Sequence, residues 1–280
     1  MLTKLTLAVR ERYHPLFHLR KMAPFRWAIG KLHFPIAIRI DGISHPVCVD
    51  FARNLSWVLS NGQVPESRER ANFQRLTEST GCKSMYDVGA NVGLYAFTFT
   101  SSSAARRVLM FEPDNLNARL LQATLTRFQL RNCELVEAAV CDRDGVLTFH
   151  SDSVSGATGS INEGSSFLHR HHQGETVAVT VRSVSLDRVS TRAASDPDVI
   201  KIDCEGAELS IFHGAEELLS RSHPMLFFEC SENKAEIGAF LSGKGYQLFD
   251  PTTLEKVEIP RFNCLALHTE RHDAVIRSIQ

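Results

Sequence analysis

What this 280-residue sequence lacks already narrows what it can do. No window approaches the roughly 20 consecutive apolar residues of a membrane-spanning helix. No C-x-x-C pair occurs among its seven scattered cysteines, Cys48, Cys82, Cys133, Cys141, Cys204, Cys230 and Cys264. An odd count without paired spacing argues against a disulfide framework or a zinc site and predicts reduced, mostly structural thiols in a cytoplasm. The opening stretch MLTKLTLAVRERYH turns charged too soon for a secretory leader, which again predicts a cytoplasmic chain. There is no internal repeat, no low-complexity tract and no three-glycine G-x-G-x-x-G fingerprint, so an NAD-type pyrophosphate site is disfavoured.

What is present is ordinary globular composition, 43% hydrophobic and 22% charged, enough to bury one full α/β core with a smaller N-terminal extension. The net charge of -1 hides an asymmetry. Residues 1–40 hold eight Lys or Arg and one acid, Glu11, leaving 23 basic residues against 31 acidic ones in the remainder. A basic arm is joined to an acidic body. Residues 1–33 mix that charge with Leu16, Phe17, Leu19, Phe25 and Trp27, so peripheral contact with an anionic membrane is one reading of residues 1–40. Pro15 and Pro24 interrupt the amphipathic pattern, and a solvated or core-packed extension is the other.

Hydrophobic patterning divides the chain into an extension, residues 1–63, and a main domain, residues 64–280. Two β-like runs, Ile36 to Ile40 and Val47 to Phe51, flank Asp41-Gly42 and predict a hairpin in the extension. Asn61-Gly62 and Pro65 mark a loop, and Glu66 to Ser79 reads as a surface helix. Strand 84–87 runs into a glycine turn and a helix carrying Leu94, Tyr95, Phe97 and Phe99. Strand Val108 to Phe111, helix Leu116 to Leu130 and strand Glu134 to Val140 follow. Alternating strands and helices imply a doubly wound, Rossmann-like sheet, mostly parallel. Glycine- and serine-rich residues 141–184 interrupt it with a predicted hairpin, Val146 to Phe149 with Val177 to Val184, whose loop at about 151–175 lies on the ligand side. After a short helix at 185–189, the pattern resumes with strand Val199 to Asp203, helix Ala207 to Leu219, strand Met225 to Glu229 and helix Glu232 to Leu241. Runs Tyr246 to Phe249 and Phe262 to Leu267 close the sheet as an antiparallel pair, making seven strands.

In such a sheet ligands sit outside the carboxyl ends of the strands, and four central strands here end in acids: Asp87, Glu112, Asp203 and Glu229. Asp87 precedes the turn Gly89-Ala90-Asn91-Val92-Gly93, where glycine permits a sharp bend and close ligand approach. An acid there would repel a pyrophosphate but suits a cationic or hydroxyl-rich ligand. Glu112 ends the second strand, where a carboxylate accepts two hydrogen bonds from ribose hydroxyls. Together they describe an adenosine site, and a positively charged adenosine ligand is S-adenosylmethionine. The acid, the Gly-x-x-x-Gly turn and the second acid resemble the pattern of class I methyltransferases. The quartet DVGANVG, FEPDNLN, VIKIDCEGAE and PMLFFE, over roughly residues 64–268, resembles more narrowly the FkbM family of methyltransferases. KIDCEGAE is its most specific element.

That resemblance implies an S-adenosylmethionine-dependent O-methyltransferase acting on a hydroxyl of a sugar, a glycan or glycolipid, or a secondary metabolite. It puts Asp87, Gly89, Asn91 and Gly93 on the cofactor turn and Glu112 on the ribose. Asp142, after the third strand, is the expected acceptor from the adenine amino group. Asn115 and Asn117 read as helix caps in competition with Asp114. Within Lys201 to Glu208 three carboxylates crowd six residues, which costs stability unless a cation, a substrate or the helix N-terminus compensates. Methyl transfer needs the acceptor oxygen held close and deprotonated, so Asp203 is the first candidate for base or acceptor clamp and Glu205 the second. A divalent metal on Asp203 and another acid would serve the same end, but the resemblance specifies no metal. Cys204 reads as filler, and Lys201 as an inward-facing partner of the acids. His169, His171 and His172 read as solvated loop residues or one as a base, with Arg170 able to bind a phosphate or carboxylate. Nucleic acid is disfavoured as a partner, because the fourth strand ends in Asp-Cys-Glu-Gly instead of Asn/Asp-Pro-Pro-aromatic and the body is acidic. A non-catalytic module keeping the fold for protein or membrane attachment is the reading from a different class.

Overall fold

The computed structural model describes residues 32–54, 57–58, 66–152, 159–161, 176–193 and 196–279. The basic arm through residue 31, the loop of Asn61-Gly62 and Pro65, and the predicted HRHH cluster with Arg170 lie outside the described residues. In the extension, β1 (Pro35–Ile38) and β2 (Val47–Asp50) pair antiparallel. Helix α1 (Ser67–Ser79) leads into β3 (Ser84–Val88), α2 (Leu94–Ser101), β4 (Arg107–Phe111), α3 (Asn115–Phe128) and β5 (Cys133–Val136), whose strands are parallel neighbours. The chain then builds a separate three-stranded sheet from β6 (Ala139–Val140), β7 (Gly145–Asp152) and β8 (Thr176–Val184), in the order β6-β8-β7. It returns through α4 (Leu186–Arg192) to β9 (Val199–Ile202), which pairs with β3 on the side away from β4. Helices α5 (Glu208–His213) and α6 (Glu216–Ser222) precede β10 (Met225–Glu229), α7 (Lys234–Gly243), β11 (Tyr246–Phe249), β12 (Lys256–Val257), β13 (Asn263–His268) and α8 (Asp273–Ile279).

The main sheet runs β12-β11-β13-β10-β9-β3-β4-β5. Strands β5, β4, β3, β9 and β10 are parallel, and β13 inserts antiparallel between β10 and β11. The expected seven strands become eight because Lys256–Val257 pairs on the outer side of β11. Chain progression reverses between β3 and β9, and that switch point is where an open α/β sheet leaves a crevice. Two apolar layers bury the sheet. Met85, Val199 and Phe227 face one with Phe73 and Phe97, while Val88, Ile200 and Phe228 face the other with Phe212 and Leu218. All seven cysteines are free thiols and six are buried. Among the described residues no helix is long and apolar enough to cross a membrane.

Two expected elements are divided. The run 134–140 leaves the main sheet after Val136 through a tight turn in which Ala138 N–H donates to Val136 O, and Ala139–Val140 pairs with β8 instead. The run 207–219 breaks at Gly214-Ala215. A Cβ on Gly214 would lie 2.2 Å from the Cys141 carbonyl oxygen, so the break seats bare backbone against the start of the inserted sheet. Helix α6 then begins at Ala215, which has no capping side chain. The Asp187 carboxylate of α4 supplies the cap, accepting from Leu218 N at 2.7 Å and Glu217 N at 3.1 Å.

Candidate active site

Beyond the carboxyl ends of β3, β4 and β9 lies a cleft open to solvent. Gly89, Asn91, Glu112, Asp203 and Glu205 all line it. Gly89 is required twice over. Its φ is +77°, and a Cβ there would stand 2.1 Å from the Asp203 carbonyl oxygen, so the turn after β3 rests directly on the end of β9. Asn91 also has a positive φ, +52°, a conformation this residue tolerates better than most. The turn thereby aims Asn91 N–H at Glu112 Oε2, 2.7 Å away, while Asp114 N–H donates to Oε1 at 2.8 Å. Asn117 donates to the same carboxylate. Burial pushes the Glu112 carboxyl up to about 8, against the lowering effect of these donors.

Asp114 caps α3, accepting from Leu116 N at 2.9 Å and Asn117 N at 3.0 Å, which removes Asn115 and Asn117 from that role. Its carboxylate also accepts from Ser151 Oγ and lies 3.5 Å from the buried Arg53 guanidinium. A residue of the extension therefore reaches the wall of the cleft. No sequence pattern marked Arg53 for this.

Asp87 does not line the cleft. It is buried on the sheet face of Met85, and its Oδ2 accepts from Ala96 N at 2.9 Å. Helix α2 starts at Gly93, which has no side chain to cap it, so the preceding strand provides the carboxylate. Burial raises the Asp87 carboxyl to about 7, with Lys201 opposing. Gly93 likewise lies off the cleft, under the Phe97 ring. Asp142 is the third expected cofactor residue that the cleft omits. The chain has left the main sheet at Ala138, so Ala138, Ala139 and Val140 form that end of the wall. Asp142 follows on a separate surface cavity, with its N–H on Ser210 Oγ at 3.1 Å.

The motif Lys201 to Glu208 resolves its crowded charges in three different ways. Asp203 Oδ2 is 3.4 Å from Lys201 Nζ, itself buried and 4.9 Å from the centre of the Tyr95 ring. Burial acts against the Lys201 charge, but Asp203, then Glu229, Glu66 and Asp87, outweigh it and hold the ammonium above its ordinary range. Glu208 turns back onto Gly206 N–H at 3.1 Å, closing the turn that leads into α5. Glu205 is held at φ +28°, an uncommon conformation, with its carbonyl bonded to Ser160 Oγ at 2.8 Å. Its Oε2 is buried with no hydrogen-bond partner among the described residues, and burial followed by Asp203 and Glu208 raises its carboxyl to about 8. Burial keeps the Cys204 thiol far above its ordinary range, so it is a poor nucleophile.

Glu229 belongs to this constellation too. One carboxylate oxygen from each of Asp203, Glu205 and Glu229 lies within 4.8 Å of the others. Burial, then Asp203, pushes the Glu229 carboxyl strongly upward, with Lys201 opposing. Above it Tyr95 donates to Glu66 Oε2 at 2.8 Å, and Glu69 accepts from Asn263 at 2.9 Å. The result is a recessed acidic pit that shares Asp203 and Glu205 with the wall of the cleft.

No individually curated protein matches this sequence. Among solved structures, it is similar to the FkbM methyltransferase from Methylobacillus flagellatus at 19% identity and a TM-score of 0.43, over 66% of this chain and 43% of that one. This chain thus covers less than half of that protein's length. It is similar to a methyltransferase from Geobacter sulfurreducens at 14% identity and TM-score 0.40, over 78% and 87% of the two chains. A precorrin-6y C5,15-methyltransferase from Geobacter metallireducens matches at 16% identity and TM-score 0.38, over 69% and 83%. These likenesses are too distant to carry function. A family match is not: residues 87–254, more than half of the chain, match the methyltransferase FkbM domain, and the protein belongs to that family.

Proposed function

We propose that the protein transfers a methyl group from S-adenosylmethionine to a hydroxyl of a sugar, a glycan or glycolipid, or a secondary metabolite. The observation that carries this reading is the position of Asp203 and Glu205, which belong both to the wall of the cleft at the switch point and to the acidic pit. In this reading a ribose hydroxyl donates to Glu112, whose carboxylate keeps one acceptor site after accepting from Asn91 N–H, Asp114 N–H and Asn117. The adenine lies toward Ala138 to Val140 and Phe149, and the bare backbone of Gly89 lets the donor pass over the turn. The cationic sulfonium favours the acidic junction.

The acceptor enters from the pit. Its oxygen attacks the methyl carbon in line, the carbon–sulfur bond breaks toward sulfur, and a neutral thioether leaves. The hydroxyl proton passes to a carboxylate, with Asp203 as clamp or base and Glu205 beside it. Surplus negative charge disfavours a polyanion such as RNA as acceptor. Peripheral membrane contact through residues 1–40 would bring a glycolipid acceptor close, and it rests on the sequence of that arm alone.

Calorimetry of the intact chain with S-adenosylmethionine tests the reading. One donor bound per chain, with binding retained but turnover lost in Asp203→Ala, is the expected result. Absence of donor binding by the folded chain would leave a non-catalytic module. Mass spectrometry of glycans and lipids from cells with and without the gene, searching for a lost methyl group, would identify the acceptor.

A further inference from the structure

We infer that Asp203, Glu205 and Glu229 form a binding site for a divalent cation of the Mg²⁺ or Mn²⁺ type at the acceptor end of the cleft. Three carboxylates from two adjacent strand ends each bring one oxygen within 4.8 Å of the other two. An ion with metal–oxygen distances of about 2.0–2.6 Å fits between oxygens so spaced, and an all-carboxylate donor set selects hard cations over zinc or copper.

A second observation points to the same occupant. Glu205 is 6% exposed and among the described residues its Oε2 has no hydrogen-bond partner, although it sits on a backbone turn bent to a positive φ that delivers it to this place. An unsatisfied buried carboxylate oxygen is costly, and a cation is the ligand that satisfies it without a further donor. Lys201 does not do this job, since its ammonium lies against Asp203 and the Tyr95 ring. Asp203 keeps a third of its side chain exposed, 34%, so an ion held there stays reachable from the cleft.

The ion's use deepens the proposed methyl transfer and rests on that reading. A hydroxyl bound to the cation loses its proton to solvent more readily, and its oxygen then forms the new bond to carbon as the carbon–sulfur bond breaks. Binding of the ion itself does not depend on this use.

The test is a titration of the intact, EDTA-treated chain with Mn²⁺, followed by calorimetry and by the electron paramagnetic resonance of free Mn²⁺. One saturable ion per chain is expected, together with a rise in melting temperature. Glu205→Gln and Glu229→Gln should each weaken binding at least tenfold, while Asp142→Asn, an acid outside the pit, should leave it unchanged. Cooperative melting of each variant establishes that it is folded, and the Mn²⁺-dependent rise in the wild-type melting temperature reads binding without any variant. Absence of saturable binding and of that rise, or wild-type affinity in both glutamine variants, overturns the site. Donor binding measured in EDTA separates the two ideas. A chain that binds donor but no cation refutes this inference alone, and one that binds cation but no donor refutes only the methyl-transfer reading.

Discussion

Replacing Gly89 by alanine tests whether the cleft is held open by contact between bare backbones. The added methyl would meet the Asp203 carbonyl oxygen at 2.1 Å and the Cys204 sulfur at 3.0 Å, at a φ of +77°. A left-handed conformation costs an L-residue about 1–2 kcal/mol, and crowding a packed site typically costs about 1–3 kcal/mol more. Alanine recovers about 0.4–1 kcal/mol by restricting the unfolded chain. The net loss is about 3 kcal/mol, or roughly 6–12 °C in melting temperature at about 2–4 °C per kcal/mol. Gly81 provides the control. Its φ is +68° and nothing lies within 4 Å of a Cβ there, so Gly81→Ala carries the conformational cost alone and should lose at most about 1 kcal/mol. Urea and thermal unfolding of both variants, followed by circular dichroism, measure the difference. Gly89→Ala should also weaken S-adenosylmethionine binding, because relief of the clash moves the end of β9 away from the turn. Equal losses in the two variants, or a Gly89→Ala protein that melts with the wild type, would refute the argument that these two chain segments touch.

In the proposed donor site, Glu112 makes affinity pH-dependent. A ribose hydroxyl donates to its ionised form, so affinity should rise with pH and level off above about 8, the value to which burial lifts this carboxyl. Glu112→Gln should flatten that profile, and calorimetry across pH 6–9 is the check. The apo chain should show the opposite trend in stability. Asp87 and Glu112 have folded values of about 7 and about 8, above their ordinary values of 3.8 and 4.5. The folded state binds more protons between those limits, so the contribution is full below the lower values and lost as pH rises through the higher ones. Melting temperature measured in EDTA should therefore fall from pH 5 to pH 9 through these two groups. Asp87→Asn, which keeps an oxygen for Ala96 N–H, should make the fall shallower, and an unchanged slope would count against the buried carboxyl. Asp114→Ala should destabilise by about 3 kcal/mol, combining a lost cap of about 1 kcal/mol with the loss of a buried partner to Arg53. Asp114→Asn keeps the cap and should recover part of that loss in urea unfolding, which it would not do if the ion pair alone mattered.

The alternation of strands and helices was legible because each buried parallel strand is a short apolar run ending in an acid. The ladder β5, β4, β3, β9, β10 follows from that pattern. What was not legible depends on contacts distant in sequence. The break at Gly214 exists because this backbone abuts Cys141, more than seventy positions earlier, and the cap it then needs comes from Asp187 on another helix. Asp142 lies outside the cleft for a related reason. The run 134–140 looks like one strand, but its last two residues pair with β8, so the chain leaves the cleft wall after Val140 and Asp142 falls on a separate surface cavity. Glu112 was readable from its spacing to the glycine turn, whereas Arg53 carries no local mark of the contact it makes with Asp114.

The acids at the strand ends share one sheet face, a regularity that the sequence contains but does not flag. Side chains on a strand alternate between faces, and Asp87, Lys201 and Glu229 fall on the face of Met85, Val199 and Met225. Register places Lys201 beside Asp87 on one neighbour and Phe227 on the other. A lysine in the middle of a fully buried strand is the anomaly that identifies this face, because burying an ammonium is costly unless acids surround it. Reading outward from Lys201 leads to Asp203 and Glu229 directly. Reading from the glycine turn leads to Glu112 and, through the close contact at Gly89, again to Asp203. Asp203 and Glu205 are thus the residues at which the cleft and the acidic pit meet, while Asp87, off the cleft, anchors α2 and helps offset the cost of burying Lys201.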